Sequence, residues 1–289
     1  MAVYERSYRS YAGPLTEPRW RFMVLPRYAV RDVFTSKLFI GFLVLCFLAP
    51  LVLSVMIYVP HNSTFLKTIE TMSGNEFTLK IGVNGYFWYM VAQGFLAFWM
   101  AFILGPALIS ADLRNNALPL YLARPFSRAE YILGKTVVLN LLLSTITWIP
   151  GLVLFLLQSY LEGFTWFSDN LRIPTAVFFS SVIWIVLLCL ISLALSAYVK
   201  WRPVARLAYI GLFIVLSAVA GIVNFLFKTD LGSLLNIGDM IGVIWATLFG
   251  ITSLTDVPAW SAWMSILTFS GLCLLLLARK VKAYEVVKS

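Results

Sequence analysis

Six long stretches of this chain carry no charge at all. They cover 38–66, 81–111, 136–161, 173–199, 207–227 and 257–278, each between 21 and 31 residues. A helix crossing the hydrocarbon core of a bilayer needs about 20 apolar residues, so each stretch is long enough for one crossing. The composition agrees, because 61% of the 289 residues are hydrophobic and only 12% are charged, against roughly 45–50% and 25% in a soluble domain. The expected fold class is therefore all-α integral membrane, with six transmembrane helices. A cleaved signal peptide in place of the first crossing would need a short basic start, yet 37 mostly polar residues precede it. Cys46, Cys189 and Cys273 all fall inside these stretches, where they act as small apolar groups and supply neither a disulfide framework nor zinc-ligand spacing.

The net charge of +9 suits a nucleic-acid partner or a membrane surface equally, and the placement of the charges decides between them. Of 22 basic residues, 18 lie in the N-terminal segment, the second and fourth loops and the C-terminal tail; only Lys67, Lys80, Arg172 and Lys228 lie in the alternate set. Lys and Arg are retained on the cytoplasmic side. Both termini are thus expected in the cytoplasm, in a multi-pass protein of the cell inner (plasma) membrane, with no nucleic acid required. The expected organisation is a cytoplasmic N-terminal segment with an interfacial helix (1–37), a six-span domain (38–278) and a cytoplasmic tail (279–289). Residues 240–255 form a charge-free run of 16, short for a crossing, and a seventh span would put the basic tail outside. A re-entrant or interfacial outer segment before span six fits better. Pro174, Pro203 and Pro258 mark the starts of spans four, five and six. Aromatics at span ends (Tyr86, Phe87, Trp88 and Tyr89; Trp166 and Phe167; Trp260 and Trp263) read as an interfacial belt.

No Asp, Glu, Lys or Arg falls inside the six stretches, which argues against a pump or ion-coupled carrier. The uncharged polar residues there, chiefly Gln93, Asn140, Gln158 and Asn224, are expected to hydrogen-bond neighbouring helices, with Gln93 and Asn224 as possible path-lining groups. Pro50, Pro106 and Pro150 can kink spans one, two and three, and the Ser217 to Gly221 spacing can mark a helix interface. Residues 129–136 (AEYILGKT) match a permissive phosphate-loop pattern, but Glu130, Tyr131, Ile132 and Leu133 are too bulky for a loop that wraps backbone amides around phosphates. His61 stands alone at the outer end of span one. No catalytic, cofactor-binding or metal-ligating set is expected, and the chain is not expected to be an enzyme.

The most informative stretch is 110–135 (SADLRNNALPLYLARPFSRAEYILGK). Pro119 is tolerated only in a first helical turn, so the chain breaks near Asn115 and Asn116 and restarts as a short helix. Leu118, Tyr121 and Leu122 then fall on one apolar stripe, and Pro125 ends that helix. Ser127 with Glu130 forms a capping box, with Phe126 and Tyr131 at the staple positions, so a new helix begins at Ser127 and runs into span three. An apolar stripe rimmed by Arg114, Arg124 and Arg128 fits a docking surface, and it fits an interfacial helix lying on lipid equally well.

The stretch resembles the cytoplasmic loop of the type-two ATP-binding-cassette (ABC) export permeases. The resemblance is carried by Ile109, Ser110, Asp112, Arg114, Leu118, Leu120, Leu122, Arg124, Pro125, Ser127, Arg128, Glu130, Tyr131, Gly134 and Lys135, in order. It departs from the family pattern in Asp112 where Glu is usual, in Asn116 and Ala117 for Gly-Thr, and in Pro119. The basic N-terminal segment, the six spans, the cytoplasmic ends and the outer segment before span six match as well. The resemblance implies a short cytoplasmic coupling helix between spans two and three that docks on a separate ATPase subunit, which binds ATP and Mg. It also implies that two permease chains, alike or paralogous, enclose the path as a dimer in the lipid membrane. The ATPase-docking residues it implies are Asp112, Arg114, Leu118, Tyr121, Leu122, Arg124, Pro125, Ser127, Arg128 and Glu130. The alternative is a membrane scaffold or assembly factor that transports nothing. The few polar groups in the spans lean toward an amphipathic or apolar cargo.

Overall fold

The structure is a computed structural model that describes residues 24–62, 71, 80–115, 128–253 and 255–280. Among the described residues every regular element is helical. Six segments are long and apolar enough to cross a membrane: Lys37–His61, Val83–Ser110, Glu130–Glu162, Arg172–Tyr198, Arg202–Phe227 and Ala259–Lys280, here spans one to six. Each lies where a charge-free stretch predicts one. The differences are at the ends, where span one takes in Lys37, span three Glu130, Lys135 and Glu162, span four Arg172, span five Arg202 and Arg206, and span six Arg279 and Lys280. Pro203 occupies the first turn of span five, where no backbone donor is missed. Ahead of span one, the helix Val24–Val33 exposes Arg27 and Arg31 and packs Ala29, Val30 and Val33 inward. Span four is the hub: 72% of its apolar stretch is buried, against 6% for span five. Small buried side chains, Ser180, Ser181, Ser192 and Ser196, let its neighbours approach closely.

Of the three prolines able to kink a span, Pro50 and Pro150 each follow a helix break and Pro106 does not interrupt its helix. Span one breaks at Phe47, between helices Lys37–Cys46 and Leu48–Tyr58. Pro50 has no N–H for the Cys46 carbonyl four residues earlier, and Gln93 of span two donates its Nε2 to that carbonyl at 2.9 Å. Span three breaks at Thr147, between Arg128–Ile146 and Trp148–Glu162, and the Tyr89 hydroxyl of span two donates to the Thr147 carbonyl at 2.8 Å. Pro106 stays within a continuous helix, Val83–Arg114. There Ser196 of span four enters the ladder: its hydroxyl accepts from the N–H groups of Ile109 (3.0 Å) and Ser110 (2.8 Å) and donates to the Pro106 carbonyl at 2.9 Å. The Gln93 and Ser196 bonds supply backbone partners that a bilayer cannot, while the Thr147 carbonyl also accepts from the Gly151 N–H at 3.3 Å.

Two of the belt aromatics are displaced inward. Tyr86 and Tyr89 are buried; Tyr86 donates to Gln158 Oε1 at 3.0 Å, and Gln158 donates onward to the Ile81 carbonyl at 2.8 Å. They join helices together, while Trp88 between them stays exposed. His61 is also less isolated than its sequence position implies, with Nδ1 2.9 Å from the Ile57 carbonyl and Nε2 3.6 Å from Glu162 Oε1 of span three.

The run 240–255 belongs to a hairpin. After Phe227 the chain reverses through Lys228 in the left-handed region (φ 49°). A 3₁₀ turn, Leu231–Leu235, then runs back along span five. Asn224 holds this turn, accepting from Gly232 N–H at 2.7 Å and donating to Ser233 Oγ at 3.0 Å. Asn236 lies against Ser217, ten residues or about 15 Å below the end of span five. It also caps the short helix Ile237–Phe249, which returns to the end from which the hairpin left. There Arg172, at the start of span four, donates from Nε and Nη2 to the Leu248 and Thr247 carbonyls, both at 2.9 Å. A cation at a helix C-terminus complements its dipole, and Gly250 supplies the left-handed residue (φ 74°) that closes it.

Candidate functional site

The segment between spans two and three is where sequence and geometry meet. The helix of span two continues past the apolar stretch to Arg114, and the next described helix begins at Arg128. Leu118, Tyr121, Leu122, Arg124, Pro125 and Ser127 lie outside the described residues, so the short helix and the Ser127 cap lie outside them too. Glu130 sits in the first turn of the helix starting at Arg128, where a carboxylate suits the positive end of the dipole. Arg114 is exposed.

The two roots of the loop are tied together. Lys135 Nζ lies 2.8 Å from Asp112 Oδ2, with both side chains largely shielded at 12% and 14% exposed. The Tyr131 hydroxyl donates to the same carboxylate oxygen at 2.7 Å, and Lys135 also stands over the Tyr131 ring, 5.7 Å from its centroid. Tyr131 and Lys135 lie one helical turn apart on span three, so both reach Asp112 from one face. Residues 129–136 are continuous helix with the lysine engaged by the acid, which is no cradle for a phosphate. Ion pair, charge-assisted hydrogen bond and ring together form a cross-link between spans two and three at the foot of the loop. Above it, Ser110 is buried, and its hydroxyl bonds to the Pro106 carbonyl.

Gln93 and Asn224, the two polar candidates within spans, both make hydrogen bonds inside the chain. Gln93 is wholly buried, and its Oε1 has no partner among the described residues. Asn224 uses both ends of its amide on the 3₁₀ turn. Asn140 is bonded by Ser144 one turn on in its own helix.

A cavity of about 620 Å³ lies between span two, the short helix and spans four and five. It extends from Asn84 to Phe98 along span two, about 20 Å of helix. Its walls are aromatic. Span two supplies Phe87, Trp88, Phe95 and Phe98, span four Trp184, span five Phe213, and the short helix Trp245. Two of these rings are held by their indole N–H groups: Trp184 donates to the Gly94 carbonyl at 2.9 Å and Trp245 to the Ser180 carbonyl at 3.1 Å. They meet edge to face at 6.2 Å. Gly94 is required there, because a Cβ would strike the Trp245 ring. Among the described residues that line this space one carries a carboxyl group, Asp239 in the first turn of the short helix. A second cavity of about 800 Å³ adjoins it through Asn84, Trp88 and Ile251, and carries Lys80 and Arg172. Asp239 and the tryptophans are absent from the sequence-based candidates; the sign available for the acid was the pair Asn236 and Asp239, spaced as cap and N3 of a helix.

A sequence profile of the family described as ABC-2 family transporter protein matches residues 25–284. Comparison with curated proteins finds no match.

Proposed function

We propose, on the premise that the chain belongs to the ABC-2 transporter family, that it is the membrane-spanning subunit of an ATP-driven exporter, coupled to a separate ATPase through residues 110–135. Membership, with six helices able to cross a membrane, makes the chain a multi-pass permease subunit of an ABC transporter. The direction of transport, the dimer, the ATPase contact, the cytoplasmic termini and the inner-membrane location are our reading.

The observation that carries the coupling is the cross-link of Asp112, Tyr131 and Lys135. A loop that receives a push transmits it only if its roots do not slide past each other, and this cluster binds the roots of spans two and three into one unit. On this reading Leu118, Tyr121 and Leu122 seat in a groove of the ATPase, and Arg114, Arg124 and Arg128 form the rim. Pro125, Ser127 and Glu130 set the start of the helix that carries the motion onward. ATP and Mg are held by the partner. The cytoplasmic end is the one rich in Lys and Arg; the hairpin of 228–250 then enters and leaves from the outer side as a re-entrant segment, its backbone satisfied by Asn224, Asn236 and Arg172. Span five, the least covered span, presents Ser217 and Gly221 on an exposed face, which supports its use against a second permease chain. The helix Val24–Val33 lies at the membrane surface.

The test is replacement within the loop. Truncating a central interface aromatic costs about 2 kcal/mol or more, and rim charges count for less. Tyr121→Ala is expected to insert at a normal level yet lose ATPase copurification and transport-linked ATP turnover, with Arg114→Ala mildly affected. Full binding and activity in Tyr121→Ala, with loss on replacing Arg6 or Arg9, would move the contact to the N-terminal segment.

A further inference from the structure

We infer that the aromatic cavity beside the short helix binds an organic cation with an apolar or aromatic body, and that the Asp239 carboxylate is its counter-charge. The inference deepens the permease reading above and rests on it for the sense in which the ligand is cargo. Three observations carry it. The cavity is of ligand size, about 620 Å³, within the usual range of roughly 300–1,000 Å³ for small-molecule sites. Its walls are ring faces and edges fixed in advance: Trp184 and Trp245 are nearly buried and anchored by hydrogen bonds to backbone carbonyls, and Phe98 and Phe213 brace each other at 4.8 Å. Rigid walls lower the ordering cost of binding, and aromatic faces attract cations electrostatically. The third observation is sign. Asp239 is the acidic residue among the described residues lining this space, which hold no basic one. It lies toward the deep end, next to Asn236, which itself lies about ten residues below the end of span five.

A carboxylate at an apolar depth is costly unless a cation or hydrogen-bond donors compensate it. The positive end of the short helix, where Asp239 lies in the first turn, compensates it in part; a bound cation supplies the opposite charge. Lys80 and Arg172 stand in the adjoining cavity at the outer end, and Arg172 is committed to the carbonyls of Thr247 and Leu248. An anion held in the outer cavity is therefore the competing outcome.

Tetraphenylphosphonium and tetraphenylborate have the same shape and opposite charge, and they separate the two. The full-length permease is placed in phosphatidylcholine nanodiscs, and binding of each radiolabelled ion is measured by equilibrium dialysis against empty nanodiscs. Tetraphenylphosphonium is expected to bind saturably and more tightly than tetraphenylborate. Asp239→Asn is expected to weaken it about tenfold or more, the effect of losing one charge-assisted contact, and Asp239→Glu to retain it. An unchanged affinity in Asp239→Asn, tighter binding of tetraphenylborate, or no saturable binding overturns the assignment. Should Asp239→Asn fail to fold, the comparison of the two ions on the wild-type protein decides alone. No ATPase takes part, so a failure here leaves the coupling scheme standing, and loss of ATPase copurification leaves this site standing.

Discussion

Removing one partner of the Asp112–Lys135 pair is expected to loosen the foot of the loop measurably. The ammonium and carboxylate are 2.8 Å apart and mostly shielded, and the Tyr131 hydroxyl bonds to the same carboxylate from a fully buried ring. Breaking a buried pair from one side costs about 3–5 kcal/mol, because the remaining charge is left uncompensated; losing a hydrogen bond to a charged group costs about 1.5–3 kcal/mol. Lys135→Ala and Asp112→Ala belong to the first class and Tyr131→Phe to the second. At about 2–4 °C per kcal/mol for a chain of this size, Lys135→Ala should lower the melting temperature by on the order of 10 °C. The double change Asp112→Asn with Lys135→Gln leaves no unpaired charge and should melt closer to wild type than either alanine variant. The assay is fluorescence-detected size exclusion of the detergent-solubilised permease after heating. A Lys135→Ala protein that melts with the wild type, or a double variant showing the summed loss of two independent sites, would refute the cross-link.

Other consequences follow from the backbone repairs. Gln93→Leu should destabilise by about 1–3 kcal/mol by orphaning the Cys46 carbonyl, and Pro50→Ala, which restores an N–H to that carbonyl, should rescue most of the loss in the same melting assay. Gly94→Ala should cost about 1–3 kcal/mol through overpacking against Trp245, visible as a melting shift and a changed tryptophan emission. Arg172→Gln should free the end of the short helix and raise proteolysis near Gly250 without changing membrane insertion. A cysteine at Ser289 should react with a membrane-impermeant reagent only after cells are opened, and labelling of intact cells would reverse the assigned orientation.

The six spans were readable because lipid excludes charge, and that rule acts residue by residue along the chain. What a helix does inside the bundle was less readable. Tyr86 and Tyr89 look like interfacial anchors from their place at a span end, yet they face Gln158 and Thr147, because an aromatic with a hydroxyl suits either role. Gln93 stands out as polar in an apolar run, but its partner is set by Pro50 in another span. The shortness of the charge-free run 240–255 marked it as something other than a span, whereas the turn at Lys228 and the role of Asp239, at its edge, left no mark, since Asp239 interrupts no span. The docking stripe of Leu118, Tyr121 and Leu122 lies outside the described residues, and its placement rests on sequence pattern and family resemblance.

Site-specific crosslinking tests the central claim most directly. A photoreactive phenylalanine analogue at Tyr121, activated in native membranes, should yield an adduct whose second component is a protein carrying nucleotide-binding motifs, and the yield should change when ATP is added. An adduct containing only lipid or other membrane proteins, with no ATPase recovered, would contradict coupling through this loop.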